Sequence, residues 1–575
     1  MTATLEAPES VDNPPAPVAA PPPTRPVPEA LAPWHDPRPF VGWALAALTV
    51  AVAAVTRLWA VGWPPGKQFD EIYYTTEAQE LLRYGYEDNR GYMFIVHPPL
   101  GKWLIALNSQ LWDPRSADTN TLDWRIAPAL AGIISVLLIT RIARRMFRSN
   151  LFGGIAGLLL ALDGLSVVQS RVALLDIFLQ TFVLAGFGAL VIDRDQLRGR
   201  LARLVTAGVD LTDGVPTLGP RPWRLAGGAL LGLACGVKWT ALSFLILFVL
   251  MSLVWDRGAL KSAGVRQSWL GAARRSWPGA IGSLVIVPTA TYLLCWLGWF
   301  AGEYSWSRHY ADGHSGSATV RLGPLKIPIN WDFLPGGIRS LGSYSLNVYR
   351  FDESLNSFHP YRSNPWSWLV LGRPITFYYP SNPQGCGASS CAREILDIGT
   401  PLMWWAFLPA LIWLAWHWFT TRDWRAAVVW VAMAAGWLVW FQDPKRTMFF
   451  FYMTPLVPFL ILGLTLALGT MLGPGLTRTS QRAVELGADE VGADERGEDV
   501  HGVDVRGRDE DLPQHALVTR PLRSPAERRR LWGLAAISVY LGVVIADFVW
   551  MWPLYTGGLM TFSEWQAHMW FTSWI

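Results

Sequence analysis

Asp70 and Glu71 stand side by side in QFDEIYY, just beyond the first long apolar stretch of the chain. Only 16% of the 575 residues are Asp, Glu, Lys or Arg, against roughly 25% in an average soluble domain. Two adjacent carboxylates retained in so charge-poor a chain are candidates for proton transfer. An acidic pair alone is more often a solvated loop feature, so its weight depends on what joins it.

Four cations do. Arg125 in DWRIAPAL, Arg171 in QSRVALLD, Lys238 in GVKWT and Arg446 in QDPKRTMFF each stand where an apolar run starts, stops or breaks. A cation half-buried at a membrane edge is costly unless an anion meets it. Taken singly, snorkelling to lipid headgroups or pairing with Asp163, Asp176 or Asp443 accounts for each. Converging on one surface with Asp70 and Glu71, they would form a pocket for a phosphate, with Arg offering a forked grip. Such a pocket suits an anionic lipid that carries a group to be transferred.

His97 and Lys102 lie in HPPLGKW, where the diproline fixes the backbone and presents the His on a rigid corner. A lone His is more often structural, and no second His or Cys stands nearby at ligand spacing, so no metal site is expected there. Asp176 either neutralises Arg171 or, at membrane depth, belongs to the site. Asp70, Glu71 and Asp176 could hold a divalent ion, yet a ready-made cation cluster makes one unnecessary, and no cofactor is expected.

The elements that must position these groups are apolar runs. A spanning helix needs about 20 mostly apolar residues to cross about 30 Å of hydrocarbon. Runs of this kind are Phe40–Trp63, Trp124–Thr140, Leu151–Val168, Val172–Ile192, Ile281–Phe300, Pro401–Phe419, Trp424–Phe441, Phe449–Leu472 and Leu531–Trp552. Leu225–Trp255, broken by Lys238, reads as two shorter helices meeting at one surface. The expectation is an all-α polytopic membrane protein with about eleven crossings. Arg141–Arg148, Arg194–Arg203, Arg257–Arg275 and Arg528–Arg530 then share one face, which the positive-inside rule makes cytoplasmic. This places the protein in the plasma membrane, with Asp70 and the C-terminus outside.

The organisation follows: a disordered Pro/Ala-rich tail at 1–39, a core at 40–472 with two outer loops at 64–123 and 302–400, a disordered acidic linker at 473–530, a last crossing at 531–552 and an outer tail at 553–575. The pattern EAQELLRYG predicts a short amphipathic helix in the first loop. Cys386 and Cys391, in the second, are a disulfide candidate if that loop faces an oxidising compartment. The net charge of +4 reflects the inside bias, and no basic stripe indicates nucleic acid. A transporter would show inverted repeats and a midplane polar site; neither is visible. A passive scaffold leaves the outer charges unexplained.

FDEIYY with HPPLGKW, WRIAPALAG, QSRVALLDIF, GLACGVKWTAL, HPYRSNPWSW and RTMFFFYMTPLVPFLILGL, in this order from Phe40 to Trp552, resemble the protein O-mannosyltransferases. These are membrane glycosyltransferases of the GT-C class that use polyprenyl-phosphate mannose. The chain looks like the bacterial branch, since 302–400 lacks the internal repeats of the soluble MIR domain that eukaryotic members carry there. The resemblance implies Asp70 as the catalytic aspartate, Glu71 as its neighbour organising the acceptor, and Arg125 as a functional arginine. His359 and Arg362 in HPYRSNPWSW join the site candidates. The implied partners are the lipid donor, Ser/Thr-containing secreted acceptors, the bilayer and the export machinery. A GT-C transferase acting on an envelope glycan or lipid is the alternative.

Overall fold

The computed structural model describes residues 28–34, 36–88, 96–112, 120–212, 218–314, 316–322, 325–330, 332–442, 444–473 and 525–575. The acidic linker, most of the N-terminal tail and Asp443 therefore lie largely or wholly outside the described residues. Each apolar run forms helix over most of its length. Among the described residues, nine helices are long and apolar enough to cross a membrane. Two more of the runs expected to cross form shorter helices, Asn150–Ala161 and Pro222–Val237.

The two short ones have identifiable stops. Helix α1 is Pro39–Leu58, and α2 (Glu71–Tyr84), α3 (Leu100–Trp112), α4 (Leu122–Phe147) and α5 (Asn150–Ala161) follow. After its 12 residues α5 gives way to α6 (Gly164–Gln169), because Asp163 turns its carboxylate back to accept the Ser166 amide at 2.8 Å. Helix α7 is Asp176–Thr206, and α8 (Pro222–Val237) ends after 16 residues where Lys238 adopts an extended backbone. Helix α9, Ala241–Ser262, restarts just beyond it. The break at Lys238 is the one the sequence predicts. Gly228 lets α8 approach the helical run 277–295 so closely that an added Cβ would collide with the Ser283 carbonyl.

Helix α7 is the axis of the bundle. It packs against α4, α8 and α9 and against the 3₁₀ turn Phe450–Leu456, and 78% of its apolar window is buried. Both α4 and α7 begin at the Asp70 end and finish in arginines. At 1.5 Å per residue their 26 and 31 residues are about 39 and 46 Å long. The acidic pair and the arginine clusters thus stand at opposite ends of the bundle.

The segment joining α1 to α4 holds the predicted amphipathic helix as α2. It also holds α3, a helix that the sequence reading does not predict. Pro98 and Pro99 stand directly before the start of α3, where their missing N–H groups leave no intrahelical bond unmade. Lys102 of α3 is fully buried between Glu77 and Glu87, at 2.9 Å from each. That triad ties α2 to α3, so Lys102 is a structural residue and leaves the list of site candidates.

Residues 302–400 are ordered by short elements: the hairpin Ser317–Leu322 with Leu325–Asn330, the helix Gly336–Ser354, and Ile375–Tyr378 antiparallel to Ile395–Asp397. Cys386 and Cys391 are disulfide-bonded with Cα atoms 5.8 Å apart. The strand that Cys391 opens, Cys391–Arg393, pairs with Leu559–Thr561. Trp565 donates to Glu394 at 2.6 Å and Trp574 to the Leu371 carbonyl at 2.7 Å. The C-terminal tail is therefore part of this lobe rather than a free appendage.

Candidate active site

Asp70 occupies the N-cap position of α2, yet its carboxylate makes no capping hydrogen bond. Phe69 before it holds a left-handed backbone (φ 49°), a conformation costing about 1–3 kcal/mol in a non-glycine residue unless its surroundings impose it. The surroundings here are aromatic: the Phe69 ring meets Phe377, Phe449, His359 and Phe451 at centroid distances of 5.3, 5.6, 5.8 and 5.9 Å. Tyr74, one turn along α2, donates to Asp70 Oδ2 at 3.4 Å. Burial pushes the Asp70 carboxyl up to about 6; Lys238 opposes this, while Asp176 and Glu77 add to it. A carboxylate poised there accepts a proton near neutral pH far better than a solvated one.

Glu71 is different in kind. It is fully buried and grips Arg125 in a two-point pair, Nε to Oε1 at 2.9 Å and Nη2 to Oε2 at 2.8 Å. Its oxygens also accept the Gln68 amide at 2.7 Å and the Ala173 amide at 2.8 Å. The remaining donors of Arg125 reach the Pro64 and Gly66 carbonyls at 2.6 and 2.9 Å. Gly66 presents its carbonyl from a φ of +76°, which favours glycine. This corrects two expectations. Arg125, with no exposed surface, cannot reach a lipid phosphate. Glu71 is unable to handle an acceptor or join Asp70 and Asp176 around a divalent ion. Together they are the clamp that fixes the Asp70 turn against α4 and the start of α7.

Arg171 is corrected likewise. Its guanidinium donates to the carbonyls of Arg57, Trp59 and Ala60 and so closes the C-terminal end of α1, away from any phosphate role.

The other charges do gather. One pocket is lined by His97, Asp176, Lys238, Asp352, Arg446 and Tyr452, among others. Lys238 Nζ lies 2.6 Å from Asp176 Oδ2, and Arg446 Nε donates to the Asp352 carbonyl at 2.8 Å. Trp440 and Tyr452 stack at 4.4 Å, and the Arg446 guanidinium sits over both rings, 5.4 and 6.0 Å from their centroids. Lys238 is steered by a carboxylate, and Arg446 by a main-chain carbonyl with the Asp352 carboxylate 3.7 Å from its Nη2; both retain further N–H donors by their chemistry. His97 is held well below its ordinary value by burial and by Lys238, Lys102 and Arg446. Its ring lies 5.9 Å from that of Tyr74.

Sequence reasoning missed Asp352 and Tyr74. Burial lifts Asp352 to about 6, with Arg446 and Lys238 pulling the other way. Nothing in RFDESLN distinguishes it from a solvated acid. Tyr74 was findable, because i+4 from Asp70 is one helical turn. His359 belongs to the aromatic wall around Phe69, 5.0 Å from Phe449. Arg362 is exposed, with its guanidinium 5.8 Å from the Phe358 ring, and is not among the residues lining the pocket.

A sequence profile of the family described as dolichyl-phosphate-mannose-protein mannosyltransferase matches residues 47–300. A polyprenol-phosphate-mannose–protein mannosyltransferase of Mycolicibacterium smegmatis (strain MKD8) is 38% identical over 93% of this chain and 93% of its own length. One of the same description from Mycobacterium tuberculosis (strain ATCC 25618 / H37Rv) is 36% identical over 98% of this chain and 97% of its own. The fold is similar to a chain in the Saccharomyces cerevisiae protein O-mannosyltransferase Pmt1–Pmt2 complex bound to the sugar donor, with a TM-score of 0.64, 15% identity and coverage of 93% and 92%.

Proposed function

The chain belongs to the polyprenol-phosphate-mannose–protein mannosyltransferase family, and we infer that it transfers mannose from polyprenyl-phosphate mannose to Ser or Thr hydroxyls of proteins. The observation that carries the site assignment is the contrast between the two adjacent acids. Glu71 is fully occupied by Arg125 and two main-chain amides, whereas Asp70 makes one long hydrogen bond, to Tyr74, and lies near enough to Lys238 and Asp176 of the pocket to feel their charges. The test is direct: membranes containing the protein move labelled mannose from the lipid donor to a Ser/Thr peptide, and membranes lacking it do not.

In the mechanism this supports, Asp70 takes the proton of the acceptor hydroxyl as its oxygen attacks C1 of mannose. The C1–phosphate bond breaks, and its electron pair leaves on the lipid phosphate. Phosphate is already a stable anion, so no acid is needed on the leaving side; inverting hydrolases need one because a sugar alkoxide leaves poorly. Lys238 and Arg446 stabilise the charge growing on the phosphate. Asp176 and Asp352 hold those two cations in place, and the aromatic wall of Phe69, His359 and Phe449 borders the acceptor's approach. The arginine-rich end faces the cytosol, the Asp70 end faces outward, and the acceptors are exported chains met at the export machinery.

Because the base works only when deprotonated, kcat/KM falls as pH drops through the raised value of Asp70. The expected profile has an acid limb centred near 6, with about a tenfold loss by about pH 5. Activity flat down to about pH 4.5 would remove Asp70 from this role.

Arg446→Ala is expected to weaken donor binding about 10- to 100-fold, the value of one or two hydrogen bonds to a charged group. Peptide affinity should change much less. Titration of donor and peptide separately checks the order, and the reverse order refutes the phosphate assignment.

A further inference from the structure

The arginine end of the bundle holds a second cavity, of about 530 Å³, formed where α4, α7 and the start of α8 meet the strand of chain entering α1. Among the described residues, five arginines line it, Arg145, Arg148, Arg198, Arg200 and Arg203, against one acid, Asp195. The cavity is built rather than incidental. Arg198 donates to the Ala30 carbonyl at 2.5 Å and Arg148 to that of Ala32 at 2.9 Å. Leu31 between them is buried against Leu197, Leu201 and Leu260. Arg200 is fixed by the Leu218 and Pro220 carbonyls at 2.5 and 2.7 Å. Arg145 has only a 3.4 Å contact to Asp195, and Arg203 is exposed. Arg198 Nε is buried with no hydrogen-bond partner among the described residues. So many like charges held around one space, with a donor unsatisfied, call for an anion with several acceptor oxygens.

Depth identifies its source. Arg145 is 20 residues beyond Arg125 on α4, about 30 Å, and Arg198 is 22 residues beyond Asp176 on α7, about 33 Å. The cavity thus lies one hydrocarbon thickness from the Asp70 level, where headgroups of the opposite leaflet sit. We propose that this cavity binds the phosphate group of an anionic phospholipid headgroup, at a site separate from the donor pocket. Basic pockets between membrane helices at the cytoplasmic face are suited to such headgroups.

The test uses the purified, delipidated full chain, titrated with phosphatidylglycerol and with phosphatidylcholine and read by native mass spectrometry. Phosphatidylglycerol is expected to bind at least about tenfold more tightly. Arg145→Gln with Arg203→Gln should weaken it about thirtyfold, the loss of two basic residues beside an anionic group. Neither side chain anchors the N-terminal strand, and mannosyl transfer serves as the folding readout; Arg203→Gln alone is read if the double variant fails to fold. Equal affinity for the two lipids, or a folded variant that binds phosphatidylglycerol as the parent does, overturns the proposal. Displacement of the lipid by about 10 mM inorganic phosphate would assign the site to a soluble phosphate instead. Lipid binding that emerges only after deletion of residues 485–511 would assign it to the chain's own acidic segment.

Discussion

Asp70→Asn protein should bind polyprenyl-phosphate mannose like the parent chain and transfer mannose about 10²–10⁴-fold more slowly. The amide keeps the shape of the side chain and can still meet the Tyr74 hydroxyl, so α2 and its aromatic support remain in place. What it loses is the ability to accept a proton. The Lys238–Asp176 and Arg446–Asp352 contacts do not involve Asp70, so donor affinity should change by no more than a few-fold. Single-turnover transfer beside equilibrium donor binding separates the two effects. Turnover within about threefold of the parent would show that another group takes the proton.

Removing Arg125 should act in the opposite way, on the fold first and on activity only through it. Arg125→Ala leaves the Glu71 carboxylate buried without its counter-charge and frees the Pro64 and Gly66 carbonyls. Breaking a buried pair from one side costs about 3–5 kcal/mol. The expected result is a large drop in the thermal midpoint in detergent, with little protein recovered at 37 °C. Arg125→Lys should rescue little, since an ammonium cannot span two carboxylate oxygens and two carbonyls at once. A variant that melts like the parent but binds donor tenfold more weakly would return Arg125 to the phosphate.

These outcomes mark where the sequence was legible. Apolar runs of the right length announced the spans, and Lys238 announced the break between α8 and α9, because each is a local property of composition. Asp70 and Glu71 were recognisable as a pair but not as two different devices. What divides them is Arg125, 54 residues away in sequence, and the Ala173 amide, 102 away. The same non-locality misassigned Arg171 and Lys102. A cation at a membrane edge needs an acceptor, and the sequence does not say whether that acceptor is a ligand, three carbonyls at the end of α1, or Glu77 and Glu87. Asp352 was hidden for the converse reason. It lies in a polar, aromatic stretch of sequence where an acid is unremarkable, and only the fold sets it against Arg446.

The strand pairing between Cys391–Arg393 and Leu559–Thr561 has a consequence for biogenesis. A ribosome delivers residues in order, so the lobe built from 302–400 stays unfinished until more than 150 further residues have been synthesised and the final helix inserted. Arg373 then meets the Ser573 and Ile575 carbonyls, and Trp574 seats beneath Leu371. Because that lobe also carries Asp352 and His359, their surroundings are complete only once residues 559–575 have been synthesised and seated.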